Sequence, residues 1–359
     1  MKILHITGNR PQFIKLAPVL KASSGRIKNV CLHTGQHYDY NLSKLFFEEL
    51  KIPKPDYYLG VGSGSHGYQT GEGLKRIEKV LVREKPEIVL VYGDTNSTLA
   101  GALAAVKLHI KVGHIEAGLR CYDKTVPEEV NRVLTDHCSD LLFCPTRTAV
   151  ANLEKEGRVK GEGVFLTGDV MVDALMQNRA IAEESEILTE LCLKSKEYFV
   201  LTIHRASNTG SKEKLKKIIS ALSSAVKGER EVVFPVHPRT EKFLREYGLF
   251  EDLASASGVR LTRPLGYLEF LKLMAHSRKI LTDSGGVQKE AYILKVPCIT
   301  LRESTEWVET VEDGWNVLVG VDAEQICEAI KEFEPGGEQR EVFGQGNASE
   351  RIRAVLEKE

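Results

Sequence analysis

The chain has 359 residues, more than one hydrophobic core usually accommodates, so two domains are expected. Hydrophobic residues make up 42% and charged residues 28%, which excludes an intrinsically disordered chain. The formal net charge of -1 gives no electrostatic reason to expect nucleic acid or an anionic membrane as a partner.

Short apolar runs alternate with amphipathic stretches through the first half of the chain. Strands are predicted at residues 3–7, 29–33, 88–92, 112–116, 141–144 and 164–167. Helices are predicted between them, including 13–22, 74–82 and 97–108. Because strands and helices alternate, the pattern predicts repeated βαβ units and a parallel sheet covered by helices on both faces.

The alternation of predicted strands and helices is interrupted at residues 177–196, which are rich in Glu, Ser and Lys. It resumes after this segment. The later strands are predicted at 198–203, 231–236, 260–262, 280–282 and 298–301. The predicted fold is therefore α/β, with two doubly wound Rossmann-like domains facing a central cleft. The predicted domains are residues 1–172 and 173–343, and a last helix within 344–359 is predicted to pack back on the N-terminal domain.

Ligands of open α/β sheets bind beyond the carboxyl ends of the strands. If the two sheets face each other, the polar residues directly after each strand line one cleft. This rule selects the segments 8–11, 93–95, 116–120, 204–208, 237–239 and 283–286.

Two strand-to-helix turns have the composition of a diphosphate site. After the first strand, Gly8 and an immediate helix start expose backbone N–H groups, and Arg10 and Lys15 add two cations. Ser284, Gly285 and Gly286 open a later helix in the same way, and Glu290 within it is suited to two ribose hydroxyls. The alternatives are a plain turn with solvated cations, and Ser284 as a simple helix N-cap.

Three carboxylates are predicted near strand ends or at a helix start: Asp94, Glu116 and Glu128. Any one of them has a structural alternative, and Glu128 in particular can pair with Arg132 one helical turn later or favour the helix dipole. Carboxylates that share one cleft repel each other, so three together indicate acid–base chemistry.

Two histidines follow strands of the second half. His204 and Arg205 together are suited to neutralising a leaving phosphate, and His204 is also suited to moving a proton. The alternative is an ordinary surface histidine beside a salt-bridged arginine. His237 occupies a similar position with a weaker signal.

Several function classes are excluded by what the motifs lack. The seven scattered cysteines contain no C-x-x-C pair, which argues against disulfides and a zinc site and fits the cytoplasm. No apolar stretch approaches the roughly 18 residues of a membrane span. The glycines of Gly62–Gly67 lack a preceding βαβ strand, so this segment is predicted to be a flexible loop and not a nicotinamide site. No metal or cofactor is expected.

These segments together resemble the non-hydrolysing UDP-N-acetylglucosamine 2-epimerase family over nearly the whole chain. The order and joint presence of the motifs carry the resemblance, and H-x-E-A-G-L-R and D-S-G-G weigh most. The matching residues are Gly8–Pro11 with Lys15, Gly35–His37, Gly93–Thr95, His114–Arg120, Pro127–Arg132, His204 with Arg205, and Asp283–Gly286 with Glu290.

The resemblance implies a GT-B fold, a homodimer and the interconversion of UDP-N-acetylglucosamine with UDP-N-acetylmannosamine. It implies elimination of UDP to a 2-acetamidoglucal intermediate, followed by re-addition. The implied catalytic residues are Asp94, Glu116, Glu128 and His204. The implied substrate-binding residues are Arg10, Lys15, Arg132, Arg205, Ser284, Gly285, Gly286 and Glu290.

The chain departs from the family pattern in places. Asn9 and Gln12 replace the usual Thr and Glu around the first arginine, and Lys289 replaces the first of two glutamates. Ala206 and Ser207 remove a carboxylate that usually follows the His-Arg pair. Some members bind a second substrate molecule as an activator, and the residues matching that site are Gln36, His37 and His237.

Three other functions remain open at this stage. A GT-B glycosyltransferase would keep the diphosphate contacts but need an acceptor groove. A UDP-sugar sensor would bind without turnover, and a hydrolysing epimerase would release the free sugar.

Overall fold

A computed structural model describes residues 1–36, 49–158, 163–226 and 230–359. It divides into two compact units: unit 1 comprises residues 1–178 and 341–359, and unit 2 comprises residues 179–340. The prediction of two doubly wound, parallel-sheet domains is confirmed.

Unit 1 alternates strands with helices along the chain. Its strands are β1 (Lys2–Thr7), β2 (Lys28–His33), β3 (Tyr57–Tyr58), β4 (Ile88–Tyr92), β5 (Lys111–Ile115), β6 (Leu141–Cys144) and β7 (Val164–Leu166). Its helices are α1 (Arg10–Ser23), α2 (His66–Glu84), α3 (Asn96–Lys107), α4 (Pro127–Cys138), α5 (Arg147–Lys155), most of α6 (Val170–Glu183), and α16 (Ala348–Leu356).

The described strands of unit 1 form one parallel sheet in the order β3-β2-β1-β4-β5-β6-β7. Every residue of β4 is buried, as its unbroken apolar sequence requires when helices cover both faces of a sheet. The strand β1 pairs with β2 on one side and with β4 on the other. The chain therefore reverses its winding direction between β1 and β4.

Unit 2 repeats this arrangement with a parallel sheet in the order β10-β9-β8-β11-β12-β13. Its strands are β8 (Tyr198–Thr202), β9 (Glu231–Pro235), β10 (Val259–Thr262), β11 (Lys279–Thr282), β12 (Cys298–Thr300) and β13 (Asn316–Leu318). Its helices are α7 (Ile187–Glu190), α8 (Ala206–Thr209), α9 (Lys212–Ala225), α10 (Pro238–Glu246), α11 (Phe250–Ala254), α12 (Tyr267–Ala275), α13 (Gly285–Ile293), α14 (Val308–Glu312) and α15 (Ala323–Glu332). Here the winding reverses between β8 and β11.

The division between the units falls inside α6, a few residues after the predicted boundary at 172/173. The helix α16 belongs to unit 1, where the buried Asp173 anchors its first turn. The carboxylate of Asp173 accepts hydrogen bonds from the backbone N–H groups of Ala348 and Ser349, at 3.1 and 2.8 Å. Ile352 on this helix is fully buried.

Two predictions about local structure need correction. The segment Gly62–Gly67 is not a loop throughout, because α2 begins at His66 and Ser65 Oγ accepts a hydrogen bond from the backbone of Tyr68 at 3.3 Å. The short strands β3 and β13 were not predicted at all. No helix in the described part of the chain is long and apolar enough to cross a membrane.

Candidate active site

Four of the six predicted functional segments follow the strands between which the two sheets reverse their winding, and the segments 116–120 and 237–239 follow the neighbouring strands β5 and β9. In unit 1, Gly8 follows β1 and Asp94 follows β4 closely, and these are the two strands that flank the reversal. In unit 2, His204 and Asp283 follow β8 and β11, which flank the second reversal. A crevice opens at such a position because the helices after the two strands lie on opposite faces of the sheet.

A buried ion pair joins Lys15 on α1 to Glu116 at the end of β5. Lys15 Nζ donates to Glu116 Oε2, and the two residues are only 8% and 7% exposed. Gly93 faces this pair so closely that a Cβ atom there would lie 3.1 Å from Lys15 Nζ and 3.1 Å from Glu116 Oε2. A side chain at position 93 would therefore intrude on the pair.

Glu116 has a left-handed backbone conformation, with a φ of 77°. This conformation costs a residue with a side chain about 1–3 kcal/mol and is concentrated at functional sites. Two hydrogen bonds hold it, because the backbone N–H groups of Glu116 and Ala117 both donate to the carbonyl of Phe143, each at 3.1 Å. The fold thus fixes where the Glu116 carboxylate points.

Asp94 is held by Arg132, which is almost completely buried on α4. The guanidinium contacts Asp94 Oδ2 through Nε at 3.0 Å and through Nη2 at 2.9 Å. Arg132 Nη1 donates to Glu129 Oε2 at 2.8 Å, so its helical partner is Glu129 and the predicted alternative pairing with Glu128 is wrong. Glu128 is half-buried in the first turn of α4 and forms no hydrogen bond or ion pair among the described residues.

In the turn after β1, the side chain of the buried Gln12 binds a backbone N–H group that was expected to be free. Gln12 Oε1 accepts from the backbone N–H of Gly8 at 2.6 Å, and Gln12 Nε2 donates to the carbonyl of Tyr92 at 2.6 Å. The prediction that the Gly8 N–H is free for an anion is therefore wrong. Arg10 is the half-buried first residue of α1, which leaves it and Lys15 as the cations of this segment.

Of the residues matched to an activator site, Gln36 belongs to unit 1 and His237 to unit 2. Gln36 is buried, and its Oε1 accepts from the Ser97 hydroxyl at 2.7 Å. His37 lies outside the described residues. His237 caps α10, with Nδ1 accepting from the backbone of Arg239 at 3.2 Å, and its ring centroid is 5.8 Å from that of His204.

In unit 2, the fully buried Asp283 fixes the turn that carries the His-Arg pair. Its carboxylate accepts from the backbone N–H groups of His204 and Arg205, each at 3.0 Å, and from Asn208 Nδ2 at 3.1 Å. Asp283 therefore positions His204 and Arg205 and is itself saturated.

The start of α13 adjoins a carboxylate that the sequence analysis missed. Ser284 occupies the N-cap position of the helix, as the alternative interpretation expected, but its side chain makes no capping bond. A Cβ atom on Gly285 would lie 2.3 Å from Glu306 Oε1. The buried Glu306 pairs with Arg302 at 2.9 Å and approaches Arg205 at 3.9 Å. Arg302 and Glu306 follow β12, so the strand-end rule was the signal that could have found them.

Further along α13, two charged residues are buried. Lys289 Nζ lies 4.1 Å from the centre of the Trp307 ring, a cation–π contact. Glu290 is 5% exposed, and burial together with this nearby carboxylate raises the pKa of Tyr267 well above its usual range. Glu290 therefore lies on the inner side of the helix start.

A second buried network lies beneath the Asp94 and Glu116 segments. His114 Nδ1 is 2.7 Å from Asp136 Oδ1, and Arg120 Nη1 donates to Asp136 Oδ2 at 2.7 Å. Arg120 also forms a two-bond pair with Glu156, at 2.8 and 2.7 Å. Burial alone would raise the pKa of Asp136, but the neighbouring His114 and Arg120 outweigh it and lower that pKa.

Solved structures with the same fold define the class of this protein. A crystal structure of Methanocaldococcus jannaschii UDP-GlcNAc 2-epimerase in complex with UDP-GlcNAc and UDP matches with a TM-score of 0.95 and 48% identity, covering 100% of both chains. The Neisseria meningitidis UDP-GlcNAc 2-epimerase bound to UDP-GlcNAc matches with a TM-score of 0.89 and 34% identity, again covering 100% of both. The fold is of the GT-B type.

Sequence comparisons define the family. A family model described as UDP-N-acetylglucosamine 2-epimerase matches residues 20–357. A UDP-N-acetylglucosamine 2-epimerase homolog of Methanococcus maripaludis is 55% identical over 99% of both chains. A Pseudomonas aeruginosa UDP-2,3-diacetamido-2,3-dideoxy-D-glucuronate 2-epimerase is 47% identical over 100% of both. The chain belongs to the UDP-N-acetylglucosamine 2-epimerase family, which confirms the resemblance.

Proposed function

We propose that this protein inverts carbon 2 of UDP-N-acetylglucosamine to give UDP-N-acetylmannosamine, without releasing the sugar. The observation that carries the proposal is Glu116, a carboxylate held in a strained conformation beside Lys15 at the end of β5, the strand next to the winding reversal of unit 1. The ion pair favours the ionised carboxylate, which is the form that a base requires. Membership of the epimerase family supports the same conclusion.

The chemistry explains why carboxylates and cations are both needed. Carbon 2 has no neighbouring carbonyl, so its proton becomes acidic only as the bond from carbon 1 to the diphosphate oxygen breaks. We propose an anti elimination in which UDP leaves with the bonding electrons and a carboxylate takes the proton, giving a 2-acetamidoglucal. A second carboxylate then protonates carbon 2 from the other face while UDP returns to carbon 1.

We assign the sugar end of the substrate to unit 1. Asp94, Glu116 and Glu128 are the candidates for base and acid, and Arg10, Lys15 and Arg132 supply cations or orient the acids. Arg132 supports this assignment because it binds Asp94 through two nitrogen atoms and leaves that side chain 31% exposed.

The nucleotide end is assigned to unit 2. His204, Arg205 and the backbone of Ser284–Gly286 would stabilise the departing diphosphate, the largest electrostatic contribution expected. Glu290 would accept the ribose hydroxyls. The turn held by Asp283 supports this assignment, since its carboxylate fixes the backbone of the His-Arg pair.

Deuterium exchange tests the proposal. The purified protein is incubated with UDP-N-acetylglucosamine in deuterium oxide, and carbon 2 is followed by NMR. Deuterium at carbon 2 with the nucleotide still attached is expected. Free sugar would indicate a hydrolysing enzyme, and the absence of exchange would indicate a glycosyltransferase or a sensor.

A matched pair of variants tests the role of Glu116. Glu116→Gln should slow exchange by about 100-fold or more, because it removes the base while keeping the side-chain shape. Glu154→Gln makes the same change on the exposed surface of α5 and should leave exchange unaltered. UDP binding should survive in both variants, and full exchange by Glu116→Gln would remove this residue from the mechanism.

The identity of the sugar is open to a direct comparison. The Pseudomonas aeruginosa diacetamido-glucuronate epimerase is 47% identical, nearly the same as the 48% of the Methanocaldococcus jannaschii UDP-N-acetylglucosamine epimerase. The exchange experiment is therefore run with both nucleotide sugars, and the larger kcat/KM identifies the substrate.

Cytoplasmic location and a homodimer complete the proposal. All seven cysteines are free, and free thiols are typical of reducing compartments. The family resemblance supports the homodimer, which light scattering after size-exclusion chromatography would establish.

A further inference from the structure

A buried carboxylate, Glu306, lies against the helix start that the proposed function assigns to the diphosphate. Glu306 is 7% exposed, and a Cβ atom on Gly285, the first residue of α13, would lie 2.3 Å from its Oε1 atom. A carboxylate at a helix start is favourable even without a ligand, because the helix dipole attracts anions. The same charge repels the phosphates of a nucleotide at this position. Glu306 therefore opposes the binding that this helix start is assigned to provide.

The segment that carries Glu306 is fixed to α13 by a buried polar network. Thr305 Oγ1 donates to Gln288 Oε1 at 2.7 Å, and the backbone N–H of Trp307 donates to Thr305 Oγ1 at 3.1 Å. Asn316 Nδ2 donates to the same Gln288 oxygen at 3.1 Å. Because the residues on both sides of Glu306 are held in this way, its carboxylate stays at the helix start.

Two arginines approach the Glu306 carboxylate unequally. Arg302 Nη2 donates to Oε2 at 2.9 Å, and the side chain of Arg302 is buried. Arg205 Nη2 comes only to 3.9 Å from Oε1, an ion pair too long for a hydrogen bond, and its side chain is 20% exposed. Arg302 is thus the firmly held partner of Glu306, and Arg205 is the loosely held one.

Other charged side chains lie in this region but do not change with the pair. On α13, in the segment 302–309 and in the turns after β8 and β11 they are Lys289, Glu290, Glu303, Glu309, His204 and Asp283. Lys289 adds a cation that packs on Trp307, with Nζ 4.1 Å from the centre of the ring. All of them remain when Glu306 or Arg302 is replaced, so the change in charge then comes from the replaced residue alone.

We propose that Glu306 is a positioning residue that competes with the diphosphate for Arg205, and that Arg302 limits this competition. The inference rests on the proposed function, because it concerns the site assigned to the diphosphate of UDP. Glu306 holds Arg205 at the helix start, and a bound diphosphate takes over this arginine. The carboxylate offsets part of the attraction for the nucleotide in the ground state and in the transition state alike. It therefore sets KM and leaves kcat nearly unchanged.

Isothermal titration calorimetry with UDP tests the proposal through the sign of the change. Glu306→Gln removes the competing charge and keeps the side-chain shape, so UDP should bind about 3- to 10-fold more tightly. Arg302→Met leaves the charge of Glu306 uncompensated, so UDP should bind about 10-fold more weakly. Arg302→Lys keeps the cation and should stay within about 3-fold of the wild type. If Glu306→Gln also weakens the binding of UDP, the pair is merely structural and the inference is wrong.

The double variant Arg302→Met/Glu306→Gln keeps the test decisive where Arg302→Met alone folds poorly. It contains neither charge of the pair, so it should fold and bind UDP within about 3-fold of the wild type. A double variant that binds UDP more than about 10-fold more weakly would contradict the competition. Uridine, which lacks the diphosphate, should bind the wild type and the variants alike. A parallel change for uridine would show that the effect does not act on the diphosphate, and would overturn the inference.

Exchange at carbon 2 separates this inference from the proposed function. Glu306→Gln should lower KM by about 3- to 10-fold and change kcat by less than about 3-fold. Glu241→Gln is the matched control, because Glu241 pairs with Arg245 at 2.8 Å on the exposed face of α10. It should leave KM and the affinity for UDP unaltered.

The outcomes for the wild type distinguish the two proposals. If the wild type binds UDP but shows no exchange, the proposed reaction fails while the titration result stands. If the wild type exchanges and Glu306→Gln raises KM, only the inference about Glu306 is wrong. A wild type that does not bind UDP would overturn both.

Discussion

Adjacent glycines at the start of α13 allow a sharp test of packing. A Cβ atom on Gly286 would have its nearest neighbour, Ser284 Oγ, 4.0 Å away, which is ordinary contact. A Cβ atom on Gly285 would lie 2.3 Å from Glu306 Oε1 and 3.3 Å from Trp307 Nε1. The two alanine substitutions are thus chemically identical and differ only in what surrounds the added methyl group.

The two variants should differ in stability by about 1–3 kcal/mol. Each gains up to ~1 kcal/mol from replacing a helical glycine by alanine. Only Gly285→Ala forces the Glu306 carboxylate to move, and that carboxylate is held by Arg302 at 2.9 Å. Overpacking of this kind costs about 1–3 kcal/mol, so Gly286→Ala should be at least as stable as wild type and Gly285→Ala less stable.

Tryptophan fluorescence during urea unfolding measures this difference in stability, because it reports on unit 2, which contains α13. The chain has two tryptophans, Trp307 and Trp315, and both belong to unit 2. The midpoint for Gly285→Ala should fall below that for Gly286→Ala with an unchanged m-value. Equal midpoints would show that Glu306 does not pack against the helix start.

Two further predictions concern unit 1. Arg132→Met should lower the free energy of unfolding by about 3–5 kcal/mol by calorimetry, because it leaves the buried Glu129 carboxylate without its cation; a loss below ~1 kcal/mol would contradict the pairing. Burial lowers the pKa of His5 from 6.5 to about 4, although its bond to Asn29 opposes the shift. Between pH 6.5 and pH 4, His5 is therefore protonated in the unfolded chain and neutral in the native state. The free energy of unfolding should be highest above pH 6.5 and fall by about 3 kcal/mol as the pH is lowered to 4. His5→Gln should flatten that part of the calorimetric pH profile, and an unchanged slope would refute the assignment.

The architecture could be predicted from sequence because most of the strands contain a short apolar run and alternate with amphipathic helices. The residues 88–92 and 141–144 were predicted with the bounds of β4 and β6. The strands β3 and β13 were missed because β3 has only two residues and β13 lies in a run of three apolar residues, 317–319, which is too short to distinguish a strand from a buried helix segment. Each is defined by its pairing with the adjacent strand of its sheet, β2 for β3 and β12 for β13.

The partners of charged residues could not be predicted in the same way. Helical spacing makes Glu128 and Glu129 nearly equivalent partners for Arg132, at four and three residues. Asp94, which follows β4, determines which glutamate pairs with Arg132. It binds one side of the guanidinium, and Glu129 binds the other side. The role of Gln12 was hidden for a similar reason, since one partner, Gly8, follows β1 and the other, Tyr92, ends β4.

The anchoring of α16 by Asp173 has a consequence for biosynthesis. The residues that complete unit 1 are translated after the whole of unit 2, so the body that begins first is finished last. Until then, the pocket that receives Ile352 is uncovered and Asp173 lacks its donors. A nascent chain arrested before residue 341 should therefore contain a folded unit 2 attached to an incomplete unit 1.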